Sequence, residues 1–181
     1  MRGLSLSGGG SKGAFTGGML QYMKMVAGKE YDIYSGTSTG TLLQTLTSIN
    51  EFDLLKEAYT SITLDDIYKV SPFKASDDPE NPKINIMGIL KMHFLEKEPT
   101  FGDSHGLKEL IHKFFPKELY DKSLDMGKNL IAAVSNFDTA QTEVYSSKEL
   151  GKDGYEEFCD WTRSEEHTSE LQSPCNLVCR L

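Results

Sequence analysis

The stretch Tyr31-Asp-Ile-Tyr-Ser-Gly-Thr-Ser-Thr-Gly-Thr-Leu-Leu-Gln-Thr-Leu-Thr47 decides the fold. Tyr31–Ser35 reads as a short strand and Thr41–Thr47 as a helix. Between them stands Gly36-Thr37-Ser38-Thr39-Gly40, the G-x-S-x-G pattern of a serine-hydrolase nucleophile elbow. The strand–turn–helix setting is what gives that pattern chemical meaning. So tight a turn brings neighbouring side chains into collision, and the glycines at 36 and 40 relieve it. The serine hydroxyl is then expected to project above the sheet edge, at the positive end of the following helix, where a developing oxyanion is stabilised. The same five residues also satisfy an ordinary Gly/Ser/Thr turn, so the reading needs a second motif.

That motif lies about 25 residues upstream, in Gly8-Gly9-Gly10-Ser11-Lys12-Gly13. A strand over Arg2–Leu6 leads into it, and a helix over Ala14–Met25 leads out, with Phe15, Met19, Tyr22 and Met23 able to share one helical face. A glycine run in this position offers successive backbone N–H groups to an anion. A dinucleotide fingerprint fits Gly8, Gly10 and Gly13, and Asp32 follows at roughly the expected 20 residues. In that fingerprint, however, the acid belongs at the far end of the second strand, and Asp32 is near its beginning. A phosphate-binding P-loop requires Ser or Thr after the lysine, whereas Lys12 precedes Gly13. The third reading, an oxyanion hole facing a nucleophile on the adjacent strand, is the one that accounts for both motifs together.

With Ser7-Gly-Gly-Gly-Ser-Lys-Gly13 followed by Ser35-Gly-Thr-Ser-Thr-Gly40, the chain resembles the patatin-like phospholipases. Gly102-Asp-Ser-His-Gly-Leu107 and Asn129-Leu-Ile-Ala-Ala-Val-Ser-Asn-Phe-Asp138 extend the likeness more weakly, so that it covers about residues 1–162. The resemblance implies a three-layer α/β/α fold. It implies hydrolysis of lipid acyl esters by Ser38 of a Ser–Asp dyad, with Gly8 to Gly13 as oxyanion loop. Gly36, Thr37, Thr39 and Gly40 form the elbow, and no cofactor or metal is needed. It further implies a lipid or acyl-ester substrate with peripheral membrane contact.

The family's aspartate sits in a late D-G-[GA] motif, after a segment that Asp160-Trp-Thr-Arg163 begins to resemble. There the likeness stops. Residues 163–181 are polar and without period, and Arg163 to Ser173 resemble the translation of a sequencing-library adapter. This predicts a tail never selected to fold, following an incomplete domain over residues 1–162, and a dyad aspartate missing from the chain. Asp153-Gly154-Tyr155 is the sole Asp-Gly pair; it precedes the run-in segment and is expected to be a surface turn.

Length and composition fit one domain: 181 residues, 38% hydrophobic and 25% charged. No apolar run approaches the roughly 20 residues of a membrane span, and strand and glycine loop begin almost at Met1, which predicts no leader. A net charge of −8 argues against nucleic acid as partner and against simple electrostatic docking on anionic lipid, while leaving room for a local apolar patch. Cys175 and Cys179 fall in the tail, leaving one cysteine, Cys159, in the body, which suits a reduced, cytoplasmic setting. The tail cysteines with His167 lack zinc-ligand spacing.

Further along, Phe52–Ile62 predicts an amphipathic helix with Phe52, Leu55, Tyr59 and Ile62 turned inward. Pro72–Pro82 predicts an exposed loop, and Ile84–Leu95 a core helix or, after a mobile loop, a lid. Leu107–Phe115 should be helical until Pro116 stops it, Leu130–Val134 a buried strand, and Thr142–Ser146 its neighbour. His93, His105 and His112 could complete an ordinary triad, but that fold builds several strands before its elbow and here one strand–helix unit precedes Ser38. Two classes of function follow: a lipid acyl hydrolase of phospholipase A or esterase type, or a non-catalytic α/β protein whose loop holds a nucleotide or a lipid headgroup.

Overall fold

The computed structural model describes residues 1–67, 73–74, 83–87, 105–136 and 141–162. In chain order the elements are β1 (Gly3–Leu6), a 3-10 turn (Gly10–Lys12), α1 (Gly13–Gln21) running into a π turn (Tyr22–Val26), β2 (Ile33–Gly36), α2 (Thr39–Ser48) and α3 (Phe52–Ser61). Then come α4 (Leu64–Ile67), the two-residue strands β3 (Phe73–Lys74) and β4 (Lys83–Ile84), α5 (His105–Phe114), α6 (Lys117–Asp125), β5 (Asn129–Asn136), β6 (Gln141–Ser146) and α7 (Ser147–Leu150). A 3-10 turn (Lys152–Gly154) leads to α8, residues 155–162. The described residues fall into two units, Met1–Ser61 with those from Ile111 onward, and those of Ile62–Leu110.

The first unit is built on a mixed sheet in the order β1-β2-β5-β6. β1 and β2 are parallel with Leu6 opposite Gly36, and β2 and β5 are parallel with Tyr34 opposite Leu130, while β6 returns antiparallel to β5. This is the parallel pair expected from a strand–loop–helix–strand order, since a parallel return needs a crossover of helix length. Alternation along the strands sets one face: Tyr34 and Gly36 on β2 and Leu130, Ala132 and Val134 on β5 are buried. Each large apolar side chain so removed from water contributes about 1.5–3 kcal/mol. The sheet with its helices makes an α/β fold.

Two helical layers of contact matter for the site. α2 packs on β1, β2 and β5 and is tied to the sheet by Gln44 Nε2, which donates to the Ile131 carbonyl at 3.0 Å. α1 packs on α2 and α3 through its smallest residues. A Cβ on Gly17 would meet Leu55 Cδ2 at 3.2 Å, and one on Gly13 would overlap the Tyr59 hydroxyl. Farther along, Phe115, Tyr120, Tyr155 and Phe158 form a buried aromatic cluster, with Tyr120 centred 5.7 Å from Tyr155 and 5.5 Å from Phe158. Tyr120 directs its hydroxyl to the Gly151 carbonyl at 2.9 Å, satisfying a phenol that burial would otherwise strand.

In the second unit α4 opens with a capping arrangement in which the Asp66 carboxylate accepts from Thr63 N at 2.8 Å and Thr63 Oγ1 at 2.7 Å. Gly106, in the first turn of α5, lies so close to the Asp66 carbonyl that a side chain would overlap it.

Three expectations change. Phe73–Lys74, expected in an exposed loop, is a strand antiparallel to Lys83–Ile84, with Phe73 opposite Ile84 and Lys74 opposite Lys83 in register, so that backbone pairing overrides the loop signal of the flanking prolines. Ile84, expected to open a helix, is therefore extended; residues 86–87 are helical and 88–95 lie outside the described residues. The strand expected over Tyr31–Ser35 is Ile33–Gly36, since Asp32 N and Ile33 N both donate to the Arg2 carbonyl and pairing begins there. The tail from Arg163, including its resemblance to adapter sequence, lies outside the described residues.

Candidate active site

Ser38 stands between β2 and α2 with φ 56° and ψ −135°. A non-glycine residue in that region is strained by about 1–3 kcal/mol and persists only where the surroundings hold it there. Here they do. Thr37 N donates to the Leu6 carbonyl at 3.1 Å, Gly40 N to the Thr37 carbonyl at 3.0 Å and Thr41 N to the Ser38 carbonyl at 2.8 Å, closing the turn at both sides. The flanking glycines are sterically required. A Cβ on Gly36 would come within 2.5 Å of the Gly40 carbonyl carbon and the Thr41 nitrogen, and one on Gly40 would overlap the Leu6 carbonyl oxygen. The G-x-S-x-G spacing thus has a direct cause: β2, the turn and the end of β1 pack backbone to backbone. Ser38 itself stays half-exposed while Gly36, Thr39 and Gly40 are buried.

The glycine loop lies against this turn. A Cβ on Gly8 would sit 2.5 Å from Ser38 Cβ and 3.1 Å from Ser38 Oγ, so only glycine lets the loop approach the serine. Gly9 N donates to Thr39 Oγ1 at 3.2 Å, fastening the loop to the residue after the serine. Gly10 takes φ +57°, a conformation that favours glycine, and opens the 3-10 turn in which Lys12 N donates to the Gly9 carbonyl at 3.2 Å. Gly8, Gly9, Gly10, Ser11 and Lys12 are exposed and Gly13 is buried at the start of α1. Loop and elbow both lie at the carboxyl ends of the parallel strands β1 and β2, where open α/β sheets bind ligands. The link from Gly9 to Thr39 was not visible in the sequence; a hydroxyl beside the serine carries no signal of which amide it will accept from.

Asp32 is at the opposite end. Its carboxylate accepts from Arg2 N at 2.7 Å and lies 3.6 Å from the N-terminal amine. The backbone hydrogen bond from Arg2 holds its pKa below the ordinary carboxylate value. With β2 between them at about 3.3 Å per residue, Asp32 is more than 10 Å from the glycine loop and not placed to meet a ribose held there.

The base end of the same helix pair is held by Lys24, buried in the π turn. Its ammonium donates to Tyr34 Oη at 2.8 Å and to the Thr47 carbonyl at 3.0 Å, and Glu30 lies 3.7 Å away. A cation at the last turn of α2 complements the helix dipole whose positive end meets Ser38. Burial lowers the Lys24 pKa, against the opposing pull of Glu30, and burial raises that of Tyr34.

Of the histidines, His112 shares a 2.8 Å hydrogen bond with the Tyr155 hydroxyl and lies 3.6 Å from Glu156, joining α5 to α8. His105 is the first residue of α5; His93 and His167 lie outside the described residues. Asp153 is exposed in its 3-10 turn, in keeping with the expected surface turn. Among the described residues no group of three or more His, Cys, Asp or Glu could hold a metal, and no helix is long and apolar enough to cross a membrane.

No curated protein and no solved structure matches the chain. The family model of patatin-like phospholipase matches residues 4–162, from the first strand through the glycine loop and elbow to α8. The chain belongs to the patatin-like phospholipase family, whose members are lipid acyl hydrolases in general.

Proposed function

We propose that this chain carries the nucleophile half of a serine lipid acyl hydrolase of phospholipase A or esterase type. The observation that carries the reading is Ser38 at φ 56° and ψ −135° with Gly8 packed against its Cβ. In this reading Ser38 Oγ attacks the ester carbonyl carbon and loses its proton to a base within about 3 Å. The carbonyl oxygen becomes an oxyanion at the N-terminal end of α2, beside the Gly9–Gly10 backbone. Collapse of that intermediate expels the alcohol of the lipid, which takes the proton, and leaves an acyl ester on Ser38 that water then hydrolyses. Because Gly9 N already donates to Thr39 Oγ1, Gly10 is the loop amide best placed to answer charge as it develops. It opens its 3-10 turn, where the first amides have no acceptor within the helix.

The base is the weak point. No D-G-[GA] motif occurs in these 181 residues, and Asp153, in the sole Asp-Gly pair, sits in an exposed turn between α7 and α8. The 181-residue chain should therefore hydrolyse short-chain esters little faster than its Ser38→Ala variant, since an oxyanion site alone supplies only a residual part of the acceleration. Joined to a D-G-[GA]-bearing segment from another family member, it should react with a fluorophosphonate at Ser38. There Ser38→Ala should remove both labelling and turnover, a loss of several powers of ten. Retained turnover in that variant would refute Ser38 as nucleophile. Robust Ser38-dependent turnover by the 181 residues alone would show a base within them, with Asp153 the first to mutate.

A further inference from the structure

Beside the elbow, the helix that follows the glycine loop is turned inside out. Its core side carries Gly13, Gly17, Leu20 and Lys24, all buried. Its outer side carries Phe15, Met19, Tyr22 and Val26, at helical spacing, with Met25 next to them. These are 75, 48, 62, 70 and 65% exposed, respectively. Scattered single apolar residues on a surface need no explanation, but a contiguous stripe does. The wider π turn over Tyr22–Val26, closed by Ala27 N donating to the Tyr22 carbonyl at 3.0 Å, keeps Met25 and Val26 on the outside. This face begins two residues after Gly13, where the glycine loop ends and α1 starts.

Charge says what that is. The chain as a whole is −8, yet its first carboxylate is Glu30; before it come Arg2, Lys12, Lys24 and Lys29. Lys24 is spent inside, on Tyr34 and Thr47, but Arg2, Lys12 and Lys29 are exposed, and Lys12 and Lys29 bracket the apolar stripe at its two ends. We propose that the outer face of α1 and its π turn seats on an anionic lipid surface, with Phe15, Met19, Tyr22, Met25 and Val26 entering the acyl boundary and Lys12 and Lys29 at the headgroups. An apolar stripe flanked by cations is the pattern of helices that lie in a membrane interface. A second copy of the chain fits less well. Paired by a two-fold axis, these faces would bring Lys12 and Lys29 of both copies together, and the carboxylate beside each Lys29, that of Glu30, already faces Lys24 and Lys128 of its own chain at 3.7 Å. The proposal rests on the lipid-hydrolase reading, because it names how the aggregated substrate of that same site is met.

Flotation with vesicles of equal parts phosphatidylcholine and phosphatidylglycerol tests it, using the full 181-residue chain. The chain should float with these vesicles and several-fold less with phosphatidylcholine alone. The triple change Phe15→Ser, Met19→Ser and Tyr22→Ser should reduce partitioning tenfold or more, and Lys29→Glu roughly fivefold or more. Phe15→Trp should shift its emission to the blue on adding vesicles; this reading decides the matter if the triple variant loses its near-ultraviolet circular dichroism. Ser38→Ala should float like the unaltered chain, so turnover retained by Ser38→Ala in the chain joined to a D-G-[GA]-bearing segment, with flotation intact, would count against the nucleophile assignment and not against the docking face. Absence of flotation, or equal flotation of a folded triple variant, overturns the proposal. So would a dimer that the triple change converts to monomer, which would assign the face to a second copy.

Discussion

Helices α1 and α2 flank the same site, each entered through a glycine turn, and each reverses the usual division of apolar and polar residues. α1 turns glycines to the core and its largest apolar side chains to solvent. α2 is buried almost throughout, and what it buries is Thr41, Gln44, Thr45, Thr47 and Ser48 beside Leu43 and Leu46. The polar groups of α2 are partly satisfied within the helix: Thr45 Oγ1 donates to the Leu42 carbonyl and Ser48 Oγ to the Thr45 carbonyl, each at 2.7 Å. The difference shows what a close backbone approach demands. Where β1, the elbow and α2 meet backbone to backbone, small or self-satisfied residues are what fit, and bulk is displaced to the outer face of α1.

The strongest way to break that comparison is to add one methyl group to each helix. Gly40→Ala places a Cβ into the Leu6 carbonyl, which is backbone and cannot swing aside. It should cost about 4 kcal/mol or more, enough to leave a marginal domain unfolded. Gly18→Ala on α1 meets nothing within 4 Å and should add about 0.5–1 kcal/mol through helix propensity. Urea denaturation of both variants reads the contrast. A mild effect of Gly40→Ala would mean that the elbow is not held by backbone packing.

Much of the site was legible beforehand, because the motifs are spacing rules for the backbone. Gly36 and Gly40 must be glycine for the turn to close, and that requirement shows in the letters. The parallel β1–β2 pair follows from strand–helix–strand order. The orientation of α1 was not legible: Phe15, Met19 and Tyr22 do share a face, but period alone cannot say which side of a helix the core takes when its glycines lie opposite. Nor was Lys24, since a single lysine in an apolar stretch carries no sign that Tyr34 and the end of α2 will receive it. Phe73–Lys74 pairs with Lys83–Ile84, and the three prolines of Pro72–Pro82 hid that pairing by reading as loop.

Lys24 is where the two helices are joined, and it sharpens the comparison through pH. Lys24→Met removes the hydrogen bonds to Tyr34 Oη and the Thr47 carbonyl and should cost about 1–3 kcal/mol at neutral pH. Burial keeps the folded-state pKa of Lys24 below its ordinary 10.5. The folded chain therefore sheds this proton before the unfolded chain does. Across that interval the unfolded state holds more protons, and this lysine makes stability rise with pH. Tyr34 acts in the opposite sense. Burial holds its phenol above the ordinary 10.0, so it stays neutral in the fold after the unfolded phenol has ionised, and stability falls as pH climbs past that value. Tyr120, pushed up to about 12 by burial, adds to the same fall. Denaturation midpoints taken from neutral to alkaline pH should thus show a rise in the unaltered chain that Lys24→Met lacks, then a fall common to both. Parallel curves throughout would remove Lys24 from this role.

The smallest effect concerns the polar interior of α2 itself. Thr47 is fully buried, and its Oγ1 has no hydrogen-bond partner among the described residues, although its carbonyl accepts from Lys24. An unmatched buried hydroxyl is a cost that an apolar group of similar shape avoids, and Val has nearly the same size and helix propensity as Thr. Thr47→Val should therefore stabilise the chain by roughly 0.5–1.5 kcal/mol. Thr45→Val, which gives up a bond to the Leu42 carbonyl, should gain less or lose slightly. The sign of the Thr47 change is the informative part. A gain would mean that the threonines of α2 are there for their size and shape, allowing the helix to lie close on the sheet beneath Ser38. A loss of about 1 kcal/mol or more would mean that the hydroxyl is used in solution. The polar interior of α2 would then be a hydrogen-bonded part of the site's support.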